Sequence, residues 1–550
     1  MDIVIHNAKV YLERGHFAEA VLVLGDKIAA VGTNAEILAL AAGTEKFDAG
    51  GRLLLPGFND SHLHLYNYGS NIHNIRAYDV TSIDELVKHG KEQIDSMNAP
   101  PGSVVTGVGW NETMFTTERS SDEKRHPNRY DLDRISTEHA VIIDRVCRHS
   151  VCCNSLALKM AGITRDTPQV EGGKMDVDTH GEPLGIFREN AIPAIKAIIP
   201  PYTADELERL LLHAMRHALE NGLTSVSSND ITGENYQSIV DTYIKIFTKH
   251  GLHLRLNMQC SVEEDAAFDE FINRGWITKA SMGHPCLTMG PLKLFADGSL
   301  GSRTALLRNP YNDEPSTGGL RVHIPEEMDT LVQKAHHAGL QVAIHAIGDA
   351  GIEQAINSLE KAIGGKKNEL RHAIVHCQIT DLPLLERMAK SDILAFVQPI
   401  FLAHDLYMLE DRVGKELASS SYAWATMEKL GIKTSYGTDC PVESMSPIEC
   451  IACAVNRHDV STGYPEGGVY PDECVDVYTA VDAYTAGSAY ATFEENRKGR
   501  IRQNYLADMV LLDRDIFTIP KNEIREAKVI WVIAGGNMLE KKQMEKAALQ

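Results

Sequence analysis

Positive charge is in short supply in this chain. Its 550 residues carry 54 Lys and Arg against 75 Asp and Glu, a formal net charge of −21. Nucleic acid is bound by clustered Lys and Arg set against phosphate, so nucleic acid is not an expected partner, and neither is an anionic membrane. Long apolar runs are also missing. A helix that crosses a bilayer needs ~20 consecutive apolar residues, and runs such as residues 528–534 have only strand length. The opening residues MDIVIHNAKV show no basic start followed by an apolar segment, so no secretory signal is expected. Ten cysteines at irregular spacing do not make a disulfide framework, and a reducing, cytoplasmic home is expected. Repeats and low-complexity blocks are absent too. What is present is ordinary globular composition, 43% hydrophobic and 23% charged.

The two ends of the chain read as short β-strands with turns. Residues 2–10 and 20–31 are β-rich, with Gly25-Asp26 as a turn signal inside the second stretch. Residues 507–512 and 529–534 read the same way, and Gly535-Gly536 follows as a turn. The body shows eight candidate strands, at residues 53–56 leading into His62, 224–228, 252–260, 287–297, 341–347, 372–378, 393–399 and 434–439. Helical stretches at residues 204–221, 236–250 and 326–338 lie between several of them. Strand–helix–strand units need parallel pairing, and eight of them fit a closed (β/α)8 barrel. The stretch between His64 and Thr224 is far longer than one helix needs and carries strands of its own at 103–110 and 140–147. The expected organisation is α/β. A composite β-sandwich is built from residues 1–55 and 498–550. A (β/α)8 TIM barrel is built from 56–66 and 200–497. An inserted α+β domain over 67–199 is expected to act as a lid or specificity wall.

The chemistry concentrates at strand ends. In Pro56-Gly57-Phe58-Asn59-Asp60-Ser61-His62-Leu63-His64, two histidines one residue apart on a strand point the same way. At the C-terminal end of a barrel strand both would face the mouth, where barrel enzymes keep their chemistry. Two neutral imidazoles are half a metal site, but a bare His-x-His is more readily a pair of hydrogen-bonded surface residues. His345, His376 and Asp439 change that weighing, because each closes an apolar candidate strand just before the chain turns. Lys293 lies inside the apolar run Leu287–Phe295, where an ammonium is costly. Alternation puts it on the same side as Phe295 and Asp297. It is turned away, deprotonated, chemically modified, or paired with Asp297. Cys450-x-x-Cys453, without a second pair, reads as a packed helix face. His213 and His217, without the Glu of a zincin motif, read as a helix surface. The Lys-rich segment from Lys541 to Lys546 reads as a solvated helix.

In order and spacing these motifs resemble the amidohydrolase superfamily of metal-dependent hydrolases. Nearest is the YtcJ-like branch, which includes N-substituted formamide deformylases. The resemblance runs through residues 56–64, Arg145-Val-Cys-Arg-His149, residues 181–190 and Lys293-Leu-Phe-Ala-Asp-Gly-Ser-Leu-Gly-Ser-Arg303. It continues through His345-Ala-Ile-Gly-Asp349, Gly437-Thr-Asp-Cys-Pro-Val442 and residues 499–510. Two positions depart from the pattern. Asn59 stands where Ile or Val is usual, and Arg148 stands where the branch often has Gly, which is expected to reshape the pocket.

The resemblance implies that His62 and His64 bind one divalent metal with Asp439 beside it, and that His345 and His376 bind a second. It implies that Lys293, carboxylated by carbon dioxide, bridges the two ions as a carbamate. Zinc is the expected metal, as one or two ions. The implied reaction is hydrolysis of an amide-type C–N bond in a small molecule by metal-activated hydroxide, since a metal lowers the pKa of water toward ~7. Asp439 is then the general base and later the acid. Arg303, Asp297, His149 and Trp110 are candidate substrate contacts. A deaminase of cyclic amidines or nucleobase-like rings, a lactam hydrolase and a non-catalytic scaffold stand as alternatives. A homodimer is the default assembly.

Overall fold

The computed structural model describes residues 2–41, 43–71, 74–78, 80–97, 99–115, 125–233, 235–262, 265–273 and 283–540. The Lys541–Lys546 segment lies outside them. At the centre is an eight-stranded, all-parallel sheet. Its strands in chain order are β1 Phe58–Leu63, β2 Leu223–Thr232, β3 Arg255–Ser261, β4 Leu287–Phe295, β5 Val342–Ala346, β6 Ala373–His376, β7 Leu394–Val397 and β8 Thr434–Tyr436. The order is sequential from β1 to β8. The ends of the sheet meet through backbone bonds from Asp439 N to His62 O and from His64 N to Cys440 O, both 2.8 Å. The chain therefore forms a (β/α)8 barrel.

Helices cover the barrel for local reasons. The helix Ala204–Glu220 begins at Thr203, whose side chain and that of Glu206 form a capping box. It buries Leu207, Leu210, Leu211, Ala214, Met215 and Ala218, the i, i+3, i+4 spacing of one helix face. The helix Tyr236–His250 stops at Gly251, whose φ of 60° is the left-handed cap that glycine adopts without strain. Cys450 and Cys453 are buried in the helix Pro447–Asn456, as packed small residues, and all ten cysteines are free thiols.

The terminal segments form two packed sheets. One pairs Lys27–Gly32, Ala20–Leu24, Ile3–His6 and Glu45–Asp48. The other runs Asn537–Glu540, Val529–Ala534, Met509–Leu512, Leu53–Pro56, Lys9–Glu13 and His16–Ala18. Ile3, Ile5, Val10, Leu54, Met509 and Ile533 fill the space between them. Here one expectation is corrected: Leu53–Pro56 pairs with Met509–Leu512 in this sandwich and is not the first barrel strand. The chain crosses into β1 at Gly57, where a Cβ would lie 2.1 Å from Thr224 Oγ1. Between β1 and β2, a sheet of Ile75–Arg76, Val104–Trp110, Ala140–Arg145, Ser150–Cys153, Pro183–Glu189 and Gly173–Val177 stands over the C-terminal rim of the barrel. Among the described residues no helix is long and apolar enough to cross a membrane.

Candidate metal centre

His62, Lys293, His345 and His376 lie at or near the C-terminal ends of their strands, and His64 and Asp439 lie just past theirs. His376 ends β6 with φ 74°, and Asp439 lies three residues past β8 with φ 55°. The left-handed backbone at both positions turns the chain sharply at the rim. A cavity of about 360 Å³ there is lined by His62, His64, Lys293, His345, His376 and Asp439 together. Donor atoms of His62, His376 and Asp439 all lie within 4.8 Å of one another. His64 Nε2 is 3.0 Å and His62 Nε2 3.4 Å from Asp439 Oδ1. The rings of His345 and His376 are 4.4 Å apart, centre to centre.

The orientation of the imidazoles is set by groups behind them. Gln259 Nε2 donates to Ser61 O at 2.9 Å, which leaves Oε1 to accept from His62 Nδ1 at 2.6 Å. Gln398 Nε2 donates to Phe396 O at 3.2 Å, and its Oε1 accepts from His376 Nδ1 at 2.7 Å. His64 Nδ1 donates to Asn229 O at 3.1 Å. His62 and His376 thus carry their protons on Nδ1 and keep a bare Nε2, the tautomer a ligand needs, while His64 Nε2 stands 3.0 Å from Asp439 Oδ1. His345 is turned the other way, with Nε2 donating to Gly298 O at 3.0 Å, so its Nδ1 lone pair is the one left to bind.

The electrostatics suit the same use. Burial, with the Lys293 charge nearby, holds His62 well below the ordinary imidazole range. Burial and the neighbouring His376 do the same to His345, and burial keeps His376 low despite Asp439. All three are neutral at pH 7. Burial disfavours the Asp439 carboxylate, but the bond from His64 and the surrounding positive groups outweigh it and hold its pKa below the usual value. Behind it, buried Asp60 is pushed up to about 7 while accepting from Thr438 N, Thr438 Oγ1 and His62 N. Lys293 is fully buried, with Nζ 3.8 Å from the centre of the Phe295 ring.

Of the four expected substrate contacts, His149 lines the cavity. Its Nδ1 donates to Glu189 Oε2 at 2.7 Å, and its ring is 5.0 Å from that of His345. The other three do not line it. β4 ends at Phe295, so alternation no longer governs Asp297. That carboxylate is fully buried and accepts from the amides of Leu306, Ile347 and Gly348 at 2.8–3.0 Å. Trp110 is buried and donates to Ile143 O. Arg303 pairs with Asp313 at 2.9 Å in a loop. His213 and His217, expected on a helix surface, stack on Tyr68 and line a second cavity. Arg148 holds φ 62° where the related pattern has glycine, and its guanidinium bonds Asn71 Oδ1 at 2.8 Å on the cavity wall.

Gln259 and Gln398 were not legible as site residues. The available signal was an amide side chain near the end of each apolar strand run. They yield a first prediction. Gln259→Leu or Gln398→Leu frees the imidazole behind a ligand, and metal affinity falls ~10–100-fold, measured by chelator competition. An unchanged affinity removes the orienting role. A second concerns His149. Although burial opposes its charge, Glu189 lifts its pKa from the ordinary 6.5 to about 9. Its folded-state value is the raised one, so the pair contributes its full stability below about pH 6.5 and loses it as pH rises through about 9. Thermal denaturation of wild type should show this alkaline loss, and His149→Gln should flatten it.

A barrel with neutral, pre-oriented imidazoles and a carboxylate converging at its C-terminal rim defines a metal-dependent hydrolase. The amidohydrolase family model matches residues 45–539, and the chain belongs to that family. It is 33% identical to YtcJ of Bacillus subtilis (strain 168) over 547 residues, covering 98% of this chain and 100% of that one. It is 26% identical over 566 residues to the N-substituted formamide deformylase of Arthrobacter pascens, covering 97% of each. Among solved structures, an uncharacterized metal-dependent hydrolase from Pyrococcus horikoshii OT3 superposes with a TM-score of 0.74 at 26% identity, over 95% of this chain and 99% of that one.

Proposed function

We propose that this protein hydrolyses an amide-type C–N bond of a small molecule, using divalent metal held by His62, His64, His345, His376, Asp439 and Lys293. The observation that carries the reading is the pair of bare Nε2 atoms on His62 and His376, fixed by Gln259 and Gln398, with His64 Nε2 beside them around Asp439. The donors are imidazole and carboxylate, which suit zinc, in one or two ions. When bound, the metal supplies an acidified water and polarises the substrate carbonyl.

The rest falls to the chain's own residues. Asp439, ionised at neutral pH, takes the proton from water and delivers it to the leaving nitrogen. His149 faces the cavity with its charge sustained by Glu189, and donates to the oxygen that gains negative charge. The Lys293 amine adds to carbon dioxide with loss of one proton, giving a carbamate anion that serves as a further ligand. Its burial beside His62 and His345 supports this, because a neutral amine is the cheaper form there.

The experiment is amine release from a panel of N-formyl and N-acyl amines by zinc-loaded protein. Release identifies amide hydrolysis, and the panel defines the acyl and amine preferences. No release from any member sinks the amide reading.

A further inference from the structure

Beside the metal centre lies a second cavity of about 480 Å³, which shares Cys147 and Val442 with the first. Its size suits a small organic molecule. Flat rings form its walls. Tyr68 stacks on His217 at 4.9 Å and 7°, and Phe401 lies at 5.7 Å and 19° to the ring of His376. Most polar groups on this wall are already engaged. Arg145 is bound to Glu112 at 2.9 Å, His404 to Glu443 at 2.8 Å, and Tyr78 Oη donates to Pro441 O at 3.3 Å.

Gln378 is different. It lines this chamber, is 3% exposed, and neither its Nε2 nor its Oε1 has a hydrogen-bond partner. Leaving a buried donor or acceptor unmet is costly. The contrast within the same rim is instructive: Gln259 and Gln398, equally buried, have both amide ends bonded. A leucine at 378 would fill the space without that cost. A side chain that offers one donor and one acceptor from a single plane matches a group presenting C=O and N–H side by side.

We propose that Gln378 reads a cis-amide edge on the substrate, such as a primary carboxamide, a lactam or a ureide, carried on a flat ring seated in this chamber. The claim rests on the amide-hydrolysis reading for its role in turnover, but not for binding. Gln378 is two residues beyond His376, so the chain between them spans at most ~7 Å. Gln378 is a specificity residue, which raises affinity for substrates with that edge and takes no proton.

The test is calorimetric titration of metal-free protein with benzamide and with acetophenone, which has the same shape but a methyl in place of the amide nitrogen. Wild type is expected to bind benzamide at least ~10-fold more tightly, the discrimination that an unpaired buried polar group imposes. Gln378→Leu is expected to bring benzamide down to the acetophenone level and leave acetophenone unchanged. Gln378→Met, which keeps the side-chain length, serves if the leucine variant does not fold. Equal affinities in wild type, discrimination retained in both variants, or no benzamide binding each overturn the proposal. Benzamide preference without amine release from any panel member would instead sink the amide-hydrolysis reading and leave this one standing.

Discussion

Asp439→Asn is expected to lower kcat/KM for the proposed amide hydrolysis by about a thousandfold, within the ~10²–10⁴ that general acid–base catalysis contributes, while the protein keeps its fold and most of its metal. The variant separates two jobs of one residue. The asparagine oxygen still accepts from His64 Nε2, now 3.0 Å from Asp439 Oδ1, and the backbone bond from residue 439 to His62 O is untouched. What disappears is a carboxylate held ionised at neutral pH by His64 and the positive groups around it, against the pull of burial. Kinetics by amine release, metal content by elemental analysis and circular dichroism measure the three parts separately. Turnover near the wild-type rate would remove the proton-shuttle role.

Lys293→Ala is the second large effect. On the carbamate reading it costs the protein one equivalent of metal per chain and most of its turnover. Lys293 lines the same cavity as His62 and His345, and as an ammonium its charge would depress both imidazoles. Lys293→Met, which keeps the length over Phe295, distinguishes lost packing from a lost ligand. If both variants hold as much metal as wild type, the bridging carbamate is wrong. If only the alanine variant loses metal, the stem over Phe295 is what matters.

The sequence made the rim legible because His345, His376 and Asp439 each close an apolar run, a pattern that survives errors in strand length. It hid what depends on distant partners. Gln259 orients a histidine 197 residues away, and nothing local to either residue records the pairing. Asp297 misled because period-two alternation was extended past Phe295, where β4 stops and the backbone turns. Leu53–Pro56 misled because a strand that leads directly into another looks like one strand until Gly57 is seen to separate two sheets. The spacing of His213 and His217 reads only as a helix surface; the fold shows that this surface faces a cavity.

The barrel is sealed by the same residues that make its site. Asp60 on β1 grips Thr438 across 378 residues of sequence, and Asp439 and Cys440 bond to the backbone of His62 and His64. During synthesis the nascent chain therefore cannot assemble this centre until Cys440, of 550 residues, has left the ribosome. Until then the histidines of β1, β5 and β6 wait on an open sheet without their carboxylate. Closing so long a loop is slow and comes late. Closure of the barrel and completion of the centre are one event, and ions met earlier by the growing polypeptide find no finished home.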